Sequence, residues 1–158
     1  LVGLDIGDAG SRAHVAGLDW RAKLGIAMYQ LALVAAYRLG GRLGDGLARR
    51  TARMVRAPAD PATVHAGMGW PYDATWLGSN GGMPKAPPLQ PPCPMLFLYG
   101  TRKPVMFHSA EWAKAIAARP GCTVQGLRTG HWLMLNDPQA FHQAVLGWLE
   151  PAALPAAA

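Results

Sequence analysis

With 158 residues, 51% of them hydrophobic and 15% charged, the sequence is long enough for one domain or a large part of one, and too apolar to be disordered. The net charge of +6 would suit an anionic partner. Many of the basic residues, however, fall between Arg12 and Arg56 on expected helix surface, without the aromatic interleaving of a single-strand binder, so no nucleic acid is expected as a partner.

Cys93 and Cys122 have neither metal-ligand spacing nor a disulfide framework. They are expected as buried reduced thiols, which points to a cytoplasmic location. No metal and no cofactor is implied by any motif. No signal-peptide pattern opens the chain. The longest apolar run, Leu24 to Tyr37, carries Gln30 and is too short to span a bilayer, so no transmembrane segment is expected.

In chain order, Leu1 to Ile6 is a short apolar run ended by Gly7 and reads as a strand buried on both faces. Leu1 lies directly inside that run with no methionine, turn or cap ahead of it, so the chain is expected to be the second part of a longer one. Asp5 stands at the carboxyl end of the strand, where open α/β sheets collect their functional groups, with Asp8 just beyond as the fallback. Gly7 to Gly17 reads as a loop. Asp19 is an N-cap for a helix from Trp20 to Leu39, whose Leu24, Met28, Leu31, Val34 and Ala35 recur at helical spacing. Gly40-Gly41 ends it, and a second helix is expected from about Leu43 to Val55. Its Arg49, Arg50, Arg53 and Arg56 read as a solvated face.

Asp60-Pro61 has the form of an N-cap with a first-turn proline, which predicts a short helix to about Met68. Another is expected within Gly69 to Leu77, and a Gly- and Pro-rich connection runs from Gly78 to Pro94. Pro94 to Gly100 is the second strand, and Thr101 to Phe107 a loop. Ser109 caps a helix from Ala110 to Arg119. Cys122 to Leu127 is the third strand, followed by the Gly130-His131 turn. Asp137-Pro138 opens a last helix with Phe141, Val145, Trp148 and Leu149 on one face, and the Ala/Pro tail at 151–158 is expected to be disordered. The fold class is therefore α/β, with about three parallel strands and flanking helices.

An acyl-transfer triad needs a nucleophile, a histidine to take its proton, and an acid to orient the imidazole. Asp5, ending one strand, and His131, following another well downstream, fall at the same edge of a parallel sheet in the order acid then histidine. His108 reads as the residue ahead of the Ser109 cap, with a place in the site as the alternative. His14, His65 and His142 read as surface or packing residues. Ser11, Ser79 and Ser109 all lack the flanking glycines of a nucleophile elbow.

In this arrangement the chain resembles the carboxyl-terminal half of an α/β-hydrolase. The resemblance rests on the strand ending in Asp5, the helical segment after it, Leu96-Phe97-Leu98-Tyr99-Gly100, the helix near Ser109, the strand to Leu127, Gly130-His131-Trp132 and the helix ending Trp148-Leu149. It implies a hydrolase core at 1–18 and 89–150 and a helical lid at 19–88. Many members of that family place the acid in the loop after the strand equivalent to Met95–Tyr99. Here that loop, Thr101 to Phe107, holds no carboxylate, and the earlier placement known from haloalkane dehalogenases and some small esterases matches Asp5.

The implied activity is hydrolysis of a small or medium apolar substrate, most simply an ester, with His131 as base and Asp5 as its acid. Trp70 and Trp76 are the substrate-contacting candidates in the lid, with Met28, Tyr29, Met68 and Met83 as further pocket residues. The nucleophile-bearing half is missing, so the chain is expected to be inactive alone and to need that half or another chain as partner. Two alternatives stay open. One is a haloalkane dehalogenase or epoxide hydrolase with an aspartate nucleophile, and the other is a non-catalytic fragment or subunit that docks on a partner.

Overall fold

The computed structural model describes residues 1–5, 11–78 and 91–150. Two compact units divide the chain, Leu1–Gly17 with Pro87–Ala158, and Leu18–Ala86.

The first unit is an α/β layer structure. Its strands are β1 (Val2–Leu4), β2 (Leu96–Gly100) and β3 (Thr123–Leu127), all parallel, in spatial order β1-β2-β3. Val2 pairs with Leu96 and Leu96 with Thr123, which brings the carboxyl ends of the three strands to one edge. The helices are α1 (Ser11–Gly17), α5 (Ala110–Ala117), α6 (Leu133–Asn136) and α7 (Pro138–Leu149).

The central strand shows why a parallel sheet needs a continuous apolar run. Leu96 and Leu98 point to one face and pack with Leu127, Leu133, Phe141, Val145 and Trp148. Met95 and Phe97 point to the other and pack with Ile116, Trp112 and Val124. Both sets are fully buried, so each face of β2 carries its own core.

The second unit holds α2 (Trp20–Leu39), α3 (Gly41–Met54), a short 3-10 turn (Ala66–Gly69) and α4 (Trp70–Leu77). The Asp19 carboxylate accepts from the Arg21 and Ala22 amides, capping α2 as expected. Its core is small-residue packing of Ala36, Ala48 and Val64. The helices come close because Gly44 presents no side chain to α2, where a Cβ would sit 2.3 Å from the Ala36 carbonyl oxygen. Arg38 clamps the buried Asp73 carboxylate with two hydrogen bonds, at 2.6 and 3.1 Å, tying α2 to α4.

Several expectations need correction. Gly7–Gly17 is not all loop, since Ser11–Gly17 is helical. The flanking glycines hid a run, Ser11 to Ala16, that contains no helix breaker. The helix expected from Asp60 to Met68 is a turn followed by the 3-10 segment. Asp60 does accept from the Ala62 amide, but its carbonyl takes both Thr63 donors, closing the turn before a helix can propagate. Val64 is then drawn into the core beside Ala36.

β1 is not covered on both faces, because Leu1 and Val2 are exposed at the edge of the sheet. Cys93 is exposed and Cys122 half-buried, so neither is a buried thiol. On α2, Leu24, Met28 and Leu31 are exposed, and the buried positions are Val34 and Ala36. Among the described residues no helix is long and apolar enough to cross a membrane.

Candidate functional site

At the carboxyl edge of the sheet, the Asp5 amide donates to the Leu98 carbonyl at 2.7 Å, continuing the β1–β2 ladder one residue past the strand. Asp5 then turns into the left-handed region, φ 47°, which aspartate tolerates better than most side chains. The residue is 2% exposed, and its carboxylate is occupied at both oxygens. Oδ2 lies 2.6 Å from His131 Nδ1, and Oδ1 accepts from Lys103 Nζ.

His131 is placed by a loop bound tightly to the end of β2. The Thr101 amide donates to Leu127 O at 2.8 Å and the Arg102 amide to Thr129 O at 2.9 Å. The two segments pass backbone to backbone because Gly100 has no side chain, and a Cβ there would lie 2.0 Å from the Gly130 carbonyl oxygen. After His131, the fully buried Leu133 pins the start of α6 into the core. The imidazole, its side chain 43% exposed, rests edge-on against Phe107 (5.6 Å between centroids) and Trp132 (5.0 Å).

Burial alone would disfavour a charged Asp5. The hydrogen bonds from His131 and Lys103, with the Lys103 charge close by, outweigh it and hold the carboxyl below the ordinary value of 3.8. At neutral pH Asp5 is therefore an acceptor at both oxygens, and His131 Nδ1 must be the donor. That fixes the neutral ring as the Nδ1–H tautomer and leaves the lone pair on Nε2. An imidazole so held can take a proton at Nε2 while the carboxylate stabilises the cation that forms.

The arrangement includes residues that sequence reasoning passed over. Lys103 lies in the loop where no carboxylate was found. Its side chain is 5% exposed, and its ammonium lies 5.1 Å from the Phe107 ring centroid. The sequence signal for it is weak: it is a basic residue next to the Pro104-Val105-Met106-Phe107 run, a position it shares with the exposed Arg102. Asp5 itself stands between Gly3 and Gly7, the glycine spacing of a nucleophile elbow, and its positive φ agrees with so sharp a turn. Yet both carboxylate oxygens are engaged and the group is buried, which suits an orienting acid and not an attacking nucleophile.

His108 does precede the Ser109 cap, where Ser109 Oγ accepts from the Trp112 amide at 3.1 Å, but its ring is buried. It packs on Phe97 and Tyr99, with centroids 4.9 and 4.6 Å away. Burial, and secondarily the Lys103 charge, push its pKa below 6.5, while Asp5 pulls the other way. His108 Nδ1 and Trp112 Nε1 are buried without a hydrogen-bond partner among the described residues. His14, on α1, has Nε2 3.1 Å from Met106 O and so anchors α1 to the Lys103 loop. His65 and His142 are exposed.

Trp70 and Trp76 belong to α4 of the second unit. Both are about half-exposed, and the Trp76 indole donates to Gln30 Oε1 at 2.8 Å. Met28 and Met68 are exposed, and Tyr29 meets Tyr72 edge-to-face. Asp8, Ser79 and Met83 lie outside the described residues. An open cavity of about 460 Å³ between β3 and α7 is lined by Leu96, Gln125, Gln143 and Trp148 among others, and no residue of the Asp5–His131 cluster borders it. No family model, no curated protein and no solved structure matches this chain.

Proposed function

We propose that Asp5 and His131 are the acid–base pair of a hydrolase in the α/β-hydrolase manner, acting on a small or medium apolar ester. The observation that carries this reading is the 2.6 Å contact between Asp5 Oδ2 and His131 Nδ1, with the carboxylate buried and the imidazole partly open to solvent. A buried acceptor on Nδ1 frees Nε2 to remove the proton of a hydroxyl nucleophile and later to return it to the leaving group. The sequence contains no Gly-x-Ser-x-Gly, so in this reading the serine comes from polypeptide outside these 158 residues. The second unit serves as the lid, and Trp70 and Trp76, half-exposed, are the substrate-contacting residues assigned to it.

The test is turnover of short-chain acyl esters by the native gene product that carries this chain. His131→Ala and Asp5→Asn are each expected to lower kcat by ~10³-fold or more, the usual consequence of losing the base or its correct tautomer. Undiminished turnover in both variants would overturn the assignment. Turnover of haloalkanes or epoxides in place of esters would move the reaction class and keep the pair.

A further inference from the structure

We propose that Lys103 is a positioning residue for this site. Its ammonium occupies Asp5 Oδ1, so that the carboxylate is locked with Oδ2 turned to His131 Nδ1. The inference rests on the Asp5–His131 reading above and extends it.

A carboxylate held by one hydrogen bond can rotate about Cβ–Cγ and exchange its oxygens. Held at both, by Lys103 and by His131, it cannot do so without breaking an ion pair. The lysine side chain is 5% exposed and that of Asp5 1%, so the pair is shielded from the screening that makes surface ion pairs weak. Such a buried ammonium is stable only if paired, and Asp5 is the carboxylate that pairs it. Phe107 closes the arrangement, since one ring lies 5.1 Å from the Lys103 ammonium and packs at 5.6 Å on the His131 imidazole. Lys103, Asp5, His131 and Phe107 thus contact one another in a closed circuit.

The groups facing Asp5 come from several elements. They are His131 from the loop after β3, Lys103 from the loop after β2, and the buried His108 ahead of α5, while His14 on α1 reaches the same loop through Met106 O. Of these, Lys103 is the one whose ammonium is bonded to Asp5 Oδ1.

The experiment follows the Asp5 carboxyl carbon by NMR as pH falls, in the native chain, Lys103→Met, Lys103→Gln and Lys103→Arg. Expected are a carboxyl that titrates below the ordinary 3.8 in the native chain, an upward shift of ~1 pH unit or more in Met and Gln, and a return toward native in Arg. A lysine that served only packing would alter the melting temperature and leave the Asp5 titration unmoved, and that result would overturn the proposal.

If the uncharged variants fail to fold, acylation of the native chain decides. Lys103 is expected to be protected relative to exposed Lys23, and equal labelling would overturn the proposal. No substrate enters either measurement. An unmoved Asp5 therefore sinks this inference and leaves the hydrolase reading standing, whereas undiminished ester turnover in both His131→Ala and Asp5→Asn sinks the hydrolase reading and leaves the Lys103–Asp5 contact in place.

Discussion

Asp5 carries three constraints at once: a left-handed backbone, a buried charge and two hydrogen-bonded partners. Each limits what can replace it. Asparagine tolerates the same backbone and keeps the size but removes the charge. Leucine would leave the Lys103 ammonium buried and unpaired, so Asp5→Leu is expected to lose about 3–5 kcal/mol in chemical denaturation, with Asp5→Asn losing less. Equal stability of native and leucine variants would mean that the ion pair does not form in solution. At this scale the sequence was legible for the pair and blind to its clamp. Asp5 and His131 stand out because Asp5 ends an apolar strand and His131 follows another strand and a glycine turn. Lys103 does not, because a triad acid is a carboxylate and a lysine beside Arg102 in a loop looks like surface charge.

The elements that position these residues owe as much to missing side chains as to present ones. Gly100 ends β2 where the His131 loop crosses it. Gly100→Ala must push the loop aside, at an expected cost of about 1–3 kcal/mol in a packed interior. It should also abolish the hydrogen-bonded Nδ1–H resonance of His131. A Gly44→Ala change in α3 should cost a similar amount, about 1–3 kcal/mol, by wedging α3 from the Ala36 carbonyl, and should leave that resonance in place. The sequence marked β2, α2, α5 and α7 well, because an apolar run or a cap residue signals each one locally. It failed at α1 and at the Asp60 turn. Glycines around Ser11 imitate a loop, and an N-cap signal at Asp60 was spent on a turn once Val64 was drawn into the core. Tertiary packing decided the second.

At the scale of the molecule, the chain is a three-stranded parallel α/β unit and a helical unit. The pH response should be dominated by groups that change ionisation on folding. Asp5 is held below 3.8 in the folded state, so its contribution is present above the unfolded value and lost as pH falls through the folded one. Thermal melts from pH 7 downward should show native stability falling below about pH 4, with a shallower fall in Asp5→Asn. Parallel slopes for the two would mean that Asp5 contributes nothing to the acid response. The α/β class was legible because buried strands and helices alternate along the sequence. The meeting of Asp5 with His131 across 126 residues of separation was legible only as a shared sheet edge.

That meeting is best tested by long-range proton–nitrogen correlation of labelled histidine at neutral pH. Native His131 is expected to carry its proton on Nδ1. Asp5→Asn is expected to move that proton to Nε2, because Lys103 claims the amide oxygen and leaves the NH₂ facing the ring. A native His131 protonated on Nε2, or a spectrum unchanged by Asp5→Asn, would contradict the pairing.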